Sequence, residues 1–552
     1  MRLGLPTRLR EAATHAEAEL TAAAPDLLTA FRDALPRAGD TVSRRLLAAL
    51  VREGLLGAPR GARRHAFGQV ALTGPAVPDP IELLADLPGG NDALAGELAD
   101  AVVKLAIAYA RRPAPDPAGQ LDAAQRLDAD DQIALLERLG VDGHNLHPCG
   151  RTRLGWSVRD VLDHDLESGA TAVGFVAVRR GRHVGHDVGA LLRDSFPQLP
   201  VAASGYALQP VHAWQLAHRI PQRYADLLAA GDLRVLDGAT LTAVPTAALR
   251  TLLLPPGGDG AARGYLKLSL DIQVTSTRRT ISVASTQNGP VLSALLHRLT
   301  AGEDRLVLLP ETAGAAVCAP GGRSRDLGAI VRTGLAGRLG PGEIAVPGTA
   351  MGPLLGTLVA RYAVRRRLSM GAPAGLAFLT DYAGILLPPL LRLATRHGIA
   401  LEAHLQNSIV TFREGLPHRL VLRDFAGLRL HRARLERHSG PAVLWPESVV
   451  ATDSLDVMRA KLGYTALQAH LADLVQRLVV AHGVDETAAW QAVRDVLDET
   501  YEPMLGDPAT ATRARADHAF FTAPTVPHKA LVRMRLANDG GDRYVPVGNP
   551  LA

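Results

Sequence analysis

One stretch of this sequence limits the possible folds more than any other, because its residues alternate strictly between apolar and polar side chains. The run YLKLSLDIQVT occupies residues 265–275. Its apolar set is Leu266, Leu268, Leu270, Ile272 and Val274, and its polar set is Lys267, Ser269, Asp271, Gln273 and Thr275. This period predicts a β-strand with one packed and one polar face. A solvated polar face is the usual case, but the TSTRR that ends the run brings hydroxyls and two guanidinium groups together, which favours a functional face.

The length of the chain predicts several lobes. Single hydrophobic cores stop growing at roughly 250–300 residues, and this chain has 552. Residues 1–135 carry helical patterns such as DDQIALLERLG, residues 136–375 contain more Val, Ile and Thr alternation with Gly and Pro between the runs, and residues 376–552 mix both patterns. We therefore predict an α+β protein with lobes at 1–135, 136–375 and 376–552.

The charge pattern favours small anionic ligands over nucleic acid. The net charge is +5, yet the basic residues are spread along the chain without a Lys/Arg block or an aromatic-interleaved basic stripe. Only four of the 60 basic residues are lysines, namely Lys104, Lys267, Lys461 and Lys529. Lysine and arginine are not interchangeable at tight anion sites, so a lysine in this background is a candidate ligand-binding group, although chance is the simpler explanation for Lys104 and Lys461.

Several features point to the cytoplasm. Two cysteines, Cys149 and Cys318, are too few for a disulfide framework or a four-thiolate metal site. The first 20 residues include acidic side chains and lack the apolar segment of a signal peptide. The most apolar stretch, residues 374–394, contains Asp381 and the pair Pro388-Pro389, which argues against a membrane span.

The densest chemistry lies in GHNLHPCGRTRLG at residues 143–155. Its guanidinium groups, from Arg151 and Arg153, can bind phosphate or carboxylate oxygens, and histidine N–H groups can donate to them. A phosphate cradle is therefore one interpretation. Zinc bound by His144, His147 and Cys149 is a weaker one, because a ligand is missing and the spacing is not standard. A purely structural loop is the third.

Two further segments carry polar groups in patterns that suit a cleft. LEAHLQN at residues 401–407 places Glu402, His404 and Gln406 on one face of a predicted strand, whereas an edge strand facing water explains it equally well. Asp424 follows the strand-like residues 419–423, where a carboxylate can hold Mg²⁺ or simply start a turn. Phosphate-binding loops of the GxxxxGK[ST] and GxGxxG types are absent.

Taken in order, eight short segments resemble the IucA/IucC family of siderophore synthetases, which work independently of non-ribosomal peptide synthetases. The resemblance covers roughly residues 140–552. The segments are GHNLHPCGRTRLG (143–155), PVHAWQ (210–215), PTAALRTL (245–252), KLSLDIQVTSTRRTIS (267–282), GIALEAHLQNSIV (398–410), RDFAGLRL (423–430), KALVRMRL (529–536) and NPL (549–551).

The resemblance implies a fold, a reaction and a site. It implies a cupped hand of helical thumb, ATP-binding fingers and palm, with mostly antiparallel sheets. It implies a cytoplasmic enzyme, commonly a homodimer, that uses ATP and Mg²⁺ to adenylate citrate or a relative and passes the acyl group to an amine or hydroxylamine. The ATP-binding residues would be His144, Arg151, Arg153, Arg250, Thr251, Lys267, Gln406, Asn407 and Asp424. Thr275, Arg279 and His404 would bind the carboxylate, Glu402 and Asp424 would face Mg²⁺, and Lys267, Arg279 and His404 would be catalytic.

Some positions depart from the family pattern. The usual lysine of the His-Pro loop is Arg151, the usual proline after the first histidine is Asn145, and the usual serine before the Leu-Arg-Thr triplet is Ala248. Ala248 and Asn145 leave room for a catalytically silent protein that binds citrate or a ferric siderophore, and the motifs do not distinguish siderophore synthesis from the same chemistry in another natural-product pathway. Residues from about 450 resemble the region shared with FhuF-like ferric reductases, but no cysteine follows Cys318, which excludes an iron–sulfur reductase.

Overall fold

The structure is a computed structural model of the chain. It describes residues 7–552 except 73–76, 86, 88–91, 113–115, 259–262, 320, 322, 447 and 538–539. Helices and β-sheets are combined, and the sheets are mostly antiparallel, which confirms the predicted α+β class.

The N-terminal lobe is helical, as predicted. Its elements are α1 (Thr7–Ala23), α2 (Leu28–Arg52), the hairpin strands β1 (Ala62–Arg64) and β2 (Val70–Leu72), α3 (Pro80–Ala85) and α4 (Asp92–Arg111). Leu46, Leu50, Leu98 and Leu105 lie in one fully buried core, since apolar residues recur on the facing sides of α2 and α4. The short helices α5 (Pro117–Ala124), α6 (Ala129–Glu137) and α7 (Val158–His164) lead to the next lobe.

The central lobe is built on an antiparallel sheet of eight strands. These strands are β3 (Thr171–Arg179), β4 (His183–Gly185), β5 (Tyr206–His212), β6 (Leu233–Pro245), β7 (Thr251–Leu253), β8 (Gly264–Leu268), β12 (Glu311–Val317) and β13 (Ala329–Thr333), in the order β4-β12-β13-β8-β7-β6-β3-β5. The helices of this lobe are α8 (Val188–Ser195), α9 (Ala213–His218), α10 (Ile220–Arg223), α11 (Ala225–Ala229) and α12 (Val283–Leu299), and α12 packs on β12.

The alternating segment is two strands rather than the single strand predicted. After β8 the chain breaks at Ser269, whose Oγ donates to Arg325 O and accepts from two backbone N–H groups. It continues as β9 (Leu270–Val274), which pairs with β10 (Thr277–Arg279). Lys267, Ser269 and Asp271 are only 2–3% exposed, so the solvated polar face is wrong. Three polar side chains in a packed wall require partners or a ligand.

The C-terminal lobe combines helices with smaller sheets. Its main sheet has the order β11-β17-β16-β14, from β11 (Leu306–Leu308), β14 (Glu343–Pro347), β16 (Ser408–Arg413) and β17 (Leu416–Leu422), and two further sheets join β15 (Ile399–Ala400), β18 (Arg429–His431) and β19 (Ala451–Thr452), and β20 (Thr525–Lys529) and β21 (Tyr544–Gly548). Its helices are α13 (Met351–Arg366), α14 (Ala372–His397), α15 (Arg432–Ser439), α16 (Leu455–Leu462), a π-helix (Gly463–Leu471), α17 (Ala472–His482), α18 (Glu486–Gly506), α19 (Ala511–Phe521) and α20 (Leu531–Ala537).

Helix α14 is the apolar segment considered as a membrane span. It is long and apolar enough for one, but 67% of its most apolar window is buried inside the protein. Its contacts with α13, α17 and α18 explain its composition as that of a core helix.

Packing is shared across the boundary predicted near residue 375. β11 and β14 precede that boundary, yet both pair with strands that follow it. The division into 1–135, 136–375 and 376–552 therefore stays a prediction about the sequence, and the sheet of the C-terminal lobe draws on two of these ranges.

Candidate active site

A cavity of about 320 Å³ lies where the three parts of the fold meet. Predicted residues that line it are His144, Arg151, Arg153, Thr275, Arg279, His404 and Gln406. The other predicted residues do not line this cavity. Asp424 and Thr251 are neighbours of Lys267. Arg250 and Glu402 act electrostatically on Arg279, and Asn407 is hydrogen-bonded to Glu402. The residues predicted to bind the carboxylate thus all face the cavity.

The His-Pro loop presents a neutral imidazole to the cavity. His144 Nδ1 accepts hydrogen bonds from the backbone N–H groups of Leu146 (3.1 Å) and His147 (3.2 Å). Its proton is therefore on Nε2, where it can donate. Burial, together with the charges of neighbouring His147 and His404, lowers the pKa of His144 well below its usual value.

The zinc interpretation of this loop does not fit. His147 uses both ring nitrogens, since Nδ1 accepts from Cys149 N (3.0 Å) and Nε2 lies 2.6 Å from Ser276 Oγ. Burial raises the pKa of the Cys149 thiol far above the range in which a thiolate forms. Within the described residues, no group of three or more His, Cys, Asp or Glu side chains could hold a metal ion.

The two arginines of the loop are already paired with buried carboxylates. Arg151 Nη2 donates to Asp165 Oδ2 (3.3 Å) and Glu167 Oε2 (3.0 Å), and Arg153 Nε donates to Asp165 Oδ2 (3.0 Å). All four side chains are nearly inaccessible to solvent. Arg151 and Arg153 therefore form a charge-balanced wall, and direct contact with phosphate stays a prediction for them.

Lys267 is the centre of a buried ionic group. Its Nζ donates to Asp424 Oδ1 at 2.6 Å, and Glu311 Oε1 lies 3.7 Å away. Burial alone would raise the pKa of Asp424, but the charges of Lys267 and Arg250 outweigh burial and hold that pKa below its usual range. Thr251 pairs with Lys267 across β7 and β8, and its buried hydroxyl has no hydrogen-bond partner among the described residues.

Glu311, the first residue of β12, was missed by the sequence analysis. Both of its carboxylate oxygens are buried and have no hydrogen-bond partner among the described residues, although Oε1 forms a long ion pair with Lys267. Burial, with the nearby charge of Asp424, raises its pKa against the opposing effect of Lys267. The motif patterns carried no signal for Glu311, because ETAGAAV reads as an ordinary buried strand.

Residues 401–407 form a turn, so the strand predicted there is wrong. The N–H groups of Asn407 and Ser408 both donate to His404 O, at 3.0 and 3.1 Å, which curls the chain before β16. Gln406 Nε2 donates to Ala247 O and Asn407 Nδ2 to Glu402 O. The local turn, and not a period of two, brings these side chains to the site.

Glu402, predicted for Mg²⁺, forms an ion pair with Lys461 of α16. Burial would raise the pKa of Glu402, but Lys461 and His404 lower it to about 2. Lys461, set aside as chance in the sequence, therefore lies at the edge of the site.

Arg279 gives the cavity an excess of positive charge. Its Nη2 donates to Val274 O (3.3 Å) and Thr275 Oγ1 (3.2 Å), neither of which carries a charge. Arg250 lies beside it, donating to the carbonyls of Arg279 and Thr280 at 2.9 Å. Burial and the positive charges of Arg250 and Arg153 lower the pKa of Arg279. A bound anion would relieve this repulsion.

Unusual backbone conformations cluster here as well. Leu249, Thr275 and Asp424 have φ of 62°, 57° and 66°, values that non-glycine residues rarely adopt. Such strain persists where the surrounding structure enforces it, and it is common at ligand sites.

Comparisons with known proteins show which families and relatives the chain resembles. A model of the "IucA / IucC family" matches residues 132–352, and one described as "Ferric iron reductase FhuF-like transporter" matches residues 376–543, a range without cysteine. The D-ornithine–citrate ligase of Staphylococcus aureus is 26% identical over 77% of this chain and 71% of that protein.

Solved structures share the fold over nearly the whole length. The petrobactin biosynthesis protein AsbB of Bacillus anthracis superposes with a TM-score of 0.78 at 20% identity, covering 95% of this chain and 98% of that one. The ATP-bound aerobactin synthetase IucA of Klebsiella pneumoniae gives 0.73 at 18% identity, covering 93% and 99%. Residues 132–352 therefore match the IucA / IucC family, and the chain as a whole has the fold of solved siderophore synthetases.

Proposed function

We propose that the protein is a cytoplasmic ATP-dependent ligase that adenylates citrate or a citrate derivative and condenses it with an amine in siderophore biosynthesis. The observation that carries this proposal is the unneutralised Arg279, facing a cavity beside the buried Lys267 group. The names of relatives, among them a D-ornithine–citrate ligase, support the substrate class.

Adenylation requires two anions to approach each other, so cationic groups must lower the repulsion between them. A carboxylate oxygen attacks the α-phosphorus, the bond to the bridging oxygen breaks, and pyrophosphate leaves. Arg279 and Thr275 would hold the carboxylate, while Lys267, Arg250 and Thr251 would hold the phosphates. The unpartnered hydroxyl of Thr251 and the ammonium of Lys267 fit phosphate oxygens.

Acyl transfer follows without a covalent enzyme intermediate. The amine nitrogen attacks the carbonyl carbon, the C–O bond to the adenylate breaks, AMP leaves with that electron pair, and the nitrogen loses a proton. Burial lowers the pKa of His404, so His404 is neutral near pH 7 and suited to accept this proton. His144 keeps its own proton on Nε2 and is therefore a hydrogen-bond donor in this step.

The residues present also fit Mg²⁺, provided that phosphates complete its coordination. Mg²⁺ usually binds one or two carboxylates together with phosphates and water. Glu311, whose oxygens have no hydrogen-bond partner among the described residues, supplies one such carboxylate. Asp424 lies near Glu311 and would supply the second; Asp424 and Glu402 are each already paired with a lysine, Lys267 and Lys461 respectively. When bound, the ion neutralises charge on the phosphates.

The test is ATP–pyrophosphate exchange with a panel of citrate, mono-substituted citrates and 2-oxoglutarate, with hydroxylamine trapping the adenylate as a hydroxamate. Arg279→Ala is expected to reduce exchange by roughly 10²–10³. The matched control is Arg159→Ala, since Arg159 is exposed and pairs with Asp163 at the surface. Absence of exchange with every carboxylate would overturn the proposal.

A catalytically silent binding protein is the second candidate, favoured by Ala248, which removes a hydroxyl beside Arg250. Asn145 is a weaker argument for it, because its Nδ2 donates to Ala469 O and anchors the loop to the π-helix. Citrate binding by calorimetry without any pyrophosphate exchange would favour this candidate.

A further inference from the structure

One part of the cavity wall has a charge pattern that the carboxylate substrate does not explain. Arg45, Asp142, Asp473 and Arg477 all line the cavity, and none belongs to the predicted site. Asp142 and Asp473 are the two carboxylates of this lining. They would repel a polyacid, so this mixed-charge wall suits a different ligand group.

The N-terminal lobe holds Asp142 in place. Tyr109 of α4 donates its hydroxyl to Asp142 Oδ1 at 2.6 Å, and Arg45 of α2 donates from Nη1 to the Asp142 carbonyl at 2.6 Å. Burial and the charge of Asp142 raise the pKa of Tyr109 to about 12, so the hydroxyl remains a donor. Within the described part of the chain, Asp142 Oδ2 forms no hydrogen bond. In the same residues, the side chain of Arg45 donates a single hydrogen bond, to the Asp142 carbonyl.

The other two residues of the wall, Asp473 and Arg477, form an ion pair with each other. Arg477 Nε donates to Asp473 Oδ2 at 2.6 Å, one turn apart on α17. The charge of Asp142 adds to that of Asp473 in raising the pKa of Arg477, so the two aspartates share one local field. Gly352 of α13 makes room for this guanidinium, because a Cβ there would collide with it.

The charges around Arg279 therefore differ from those of the mixed-charge wall. Arg279 is influenced by Arg250, Arg153, Asp424 and Glu402, whereas the mixed-charge wall offers one available carboxylate oxygen, on Asp142, and one cation with unused N–H groups, Arg45. An ammonium and a carboxylate on one carbon match this pair of opposite charges.

We propose that the mixed-charge wall binds the α-amino-acid end of the acceptor, so that the enzyme acylates the distal amine of a diamino acid in preference to a simple diamine. This inference rests on the proposed ligase function. The ammonium would bind Asp142, the carboxylate would bind Arg45, and the side-chain amine would reach the acyl-adenylate beside Arg279.

Matched acceptor pairs test this directly. Ornithine and putrescine, and likewise lysine and cadaverine, differ only in the α-carboxylate. With the full-length protein, ATP and the preferred carboxylate, we expect kcat/KM for amide formation to be at least 10-fold higher for the better diamino acid than for its matched diamine. An equal rate, or a preference for the diamine, would overturn the inference.

Two variants test whether the mixed-charge wall causes the preference for the diamino acid. Asp142→Asn keeps an acceptor for Tyr109 but loses the charge, and Arg45→Gln removes the cation; each is expected to bring the ratio of the two kcat/KM values within about 2-fold of one. Asp163→Asn, at an exposed surface pair, should keep the wild-type ratio. Unchanged ratios in both wall variants would contradict the assignment.

Failure of the ligase function would be recognised separately. Hydroxylamine needs no recognition by the wall, so absence of hydroxamate would reject the adenylation chemistry. Calorimetric titration of the diamino acid into the protein without ATP still tests the wall in that case. Binding that Asp142→Asn weakens at least 10-fold supports it, and binding that neither wall variant weakens overturns it.

Discussion

Glu311 shows at the residue scale how a buried group can be poised for a ligand. It combines two unpartnered oxygens with a lysine 3.7 Å away. Leaving a buried polar group unsatisfied costs about 1–3 kcal/mol, a cost that a folded protein carries where the group has a use. The group nearest to it, Lys267, is itself committed to Asp424.

Replacing Glu311 by Gln is expected to weaken Mg²⁺-dependent ATP binding at least 10-fold, because one of the two carboxylates proposed to bind the ion loses its charge. Calorimetric titration of ATP at several Mg²⁺ concentrations measures this without turnover. Glu414→Gln is the control, since Glu414 is exposed and pairs with Arg365. Equal Mg²⁺ dependence in the wild type and Glu311→Gln would reject the role of Glu311.

The Glu402–Lys461 pair predicts a dependence of stability on pH. The pKa of Glu402, about 2, lies below the value near 4.3 that a glutamate has in an unfolded chain. The pair therefore stabilises the protein above that value, and the contribution is lost as the pH falls from about 4.3 towards 2. Glu402→Gln should lower the free energy of unfolding by about 1.5–3 kcal/mol at pH 7, with a smaller difference at pH 4.

Urea unfolding of both proteins at pH 7, 4 and 3 gives this difference. A gap that stays constant down to pH 3 would mean that the charge of Glu402 does not contribute. Glu414→Gln again serves as the comparison, because the exposed pair that it breaks contributes little.

The sequence reveals a site residue when that residue lies in a recognisable motif. Lys267, Arg279 and His404 stand in motifs that the family resemblance identifies. Glu311 and Lys461 stand in segments that read as an ordinary strand and an ordinary amphipathic helix. Their partners, Lys267 and Glu402, are 44 and 59 residues away, and no local pattern encodes contacts at that distance.

At the scale of elements, turns place the site more than strands do. Residues 401–407 were predicted as a strand because polar groups recur at every second position, yet Asn407 and Ser408 close a turn on His404. The break at Ser269 was equally hidden, because its partners Arg325 and Gly328 follow 56 and 59 residues later. Period-two patterns report side-chain spacing, and tertiary hydrogen bonds decide whether a strand continues.

A substitution at Gly427 tests whether the position of Glu402, in the segment 401–407, matters for the reaction. A Cβ at this position would collide with Glu402 Oε2. Gly427→Ala should therefore displace Glu402 from Lys461 and lower kcat/KM for pyrophosphate exchange at least 10-fold, while circular dichroism shows a retained fold.

Gly356→Ala is the matched control for this change. A Cβ at Gly356, in α13, meets nothing within 4 Å, so activity should be unchanged and the helix stabilised by about 0.5–1 kcal/mol. Wild-type activity in Gly427→Ala would show that the position of Glu402 does not matter for the reaction.

The whole molecule is joined by its C-terminal segment, which packs on the N-terminal lobe. Glu53, at the end of α2, accepts from the backbone N–H groups of Val532 (3.0 Å) and Arg533 (2.7 Å). Val532 belongs to the core of the N-terminal lobe, and Arg535 forms an ion pair with Glu97 of α4. The three lobes were expected from length and composition, but this closure depends on side chains some 480 residues apart. A homodimer stays a prediction.

Glu53→Ala is expected to lower the free energy of unfolding by about 1–3 kcal/mol, because it leaves two N–H groups without acceptors. Urea unfolding followed by circular dichroism and by tryptophan fluorescence should still give one coincident transition. Separate transitions in the wild-type protein would contradict a lobe interface that couples folding.

The docking of α20 on the first lobe has a consequence for biosynthesis on the ribosome. The chain emerges from its amino end, so the early helices must wait for Val532 while more than 400 residues are still being made. Until then the apolar residues of the N-terminal lobe that pack on Val532 lack this contact. We expect chaperones to bind the nascent chain at this apolar surface. Messages cut short near their end would yield proteins that carry every residue of the predicted site, the last of which is Asp424, yet lack the helix that closes the first lobe.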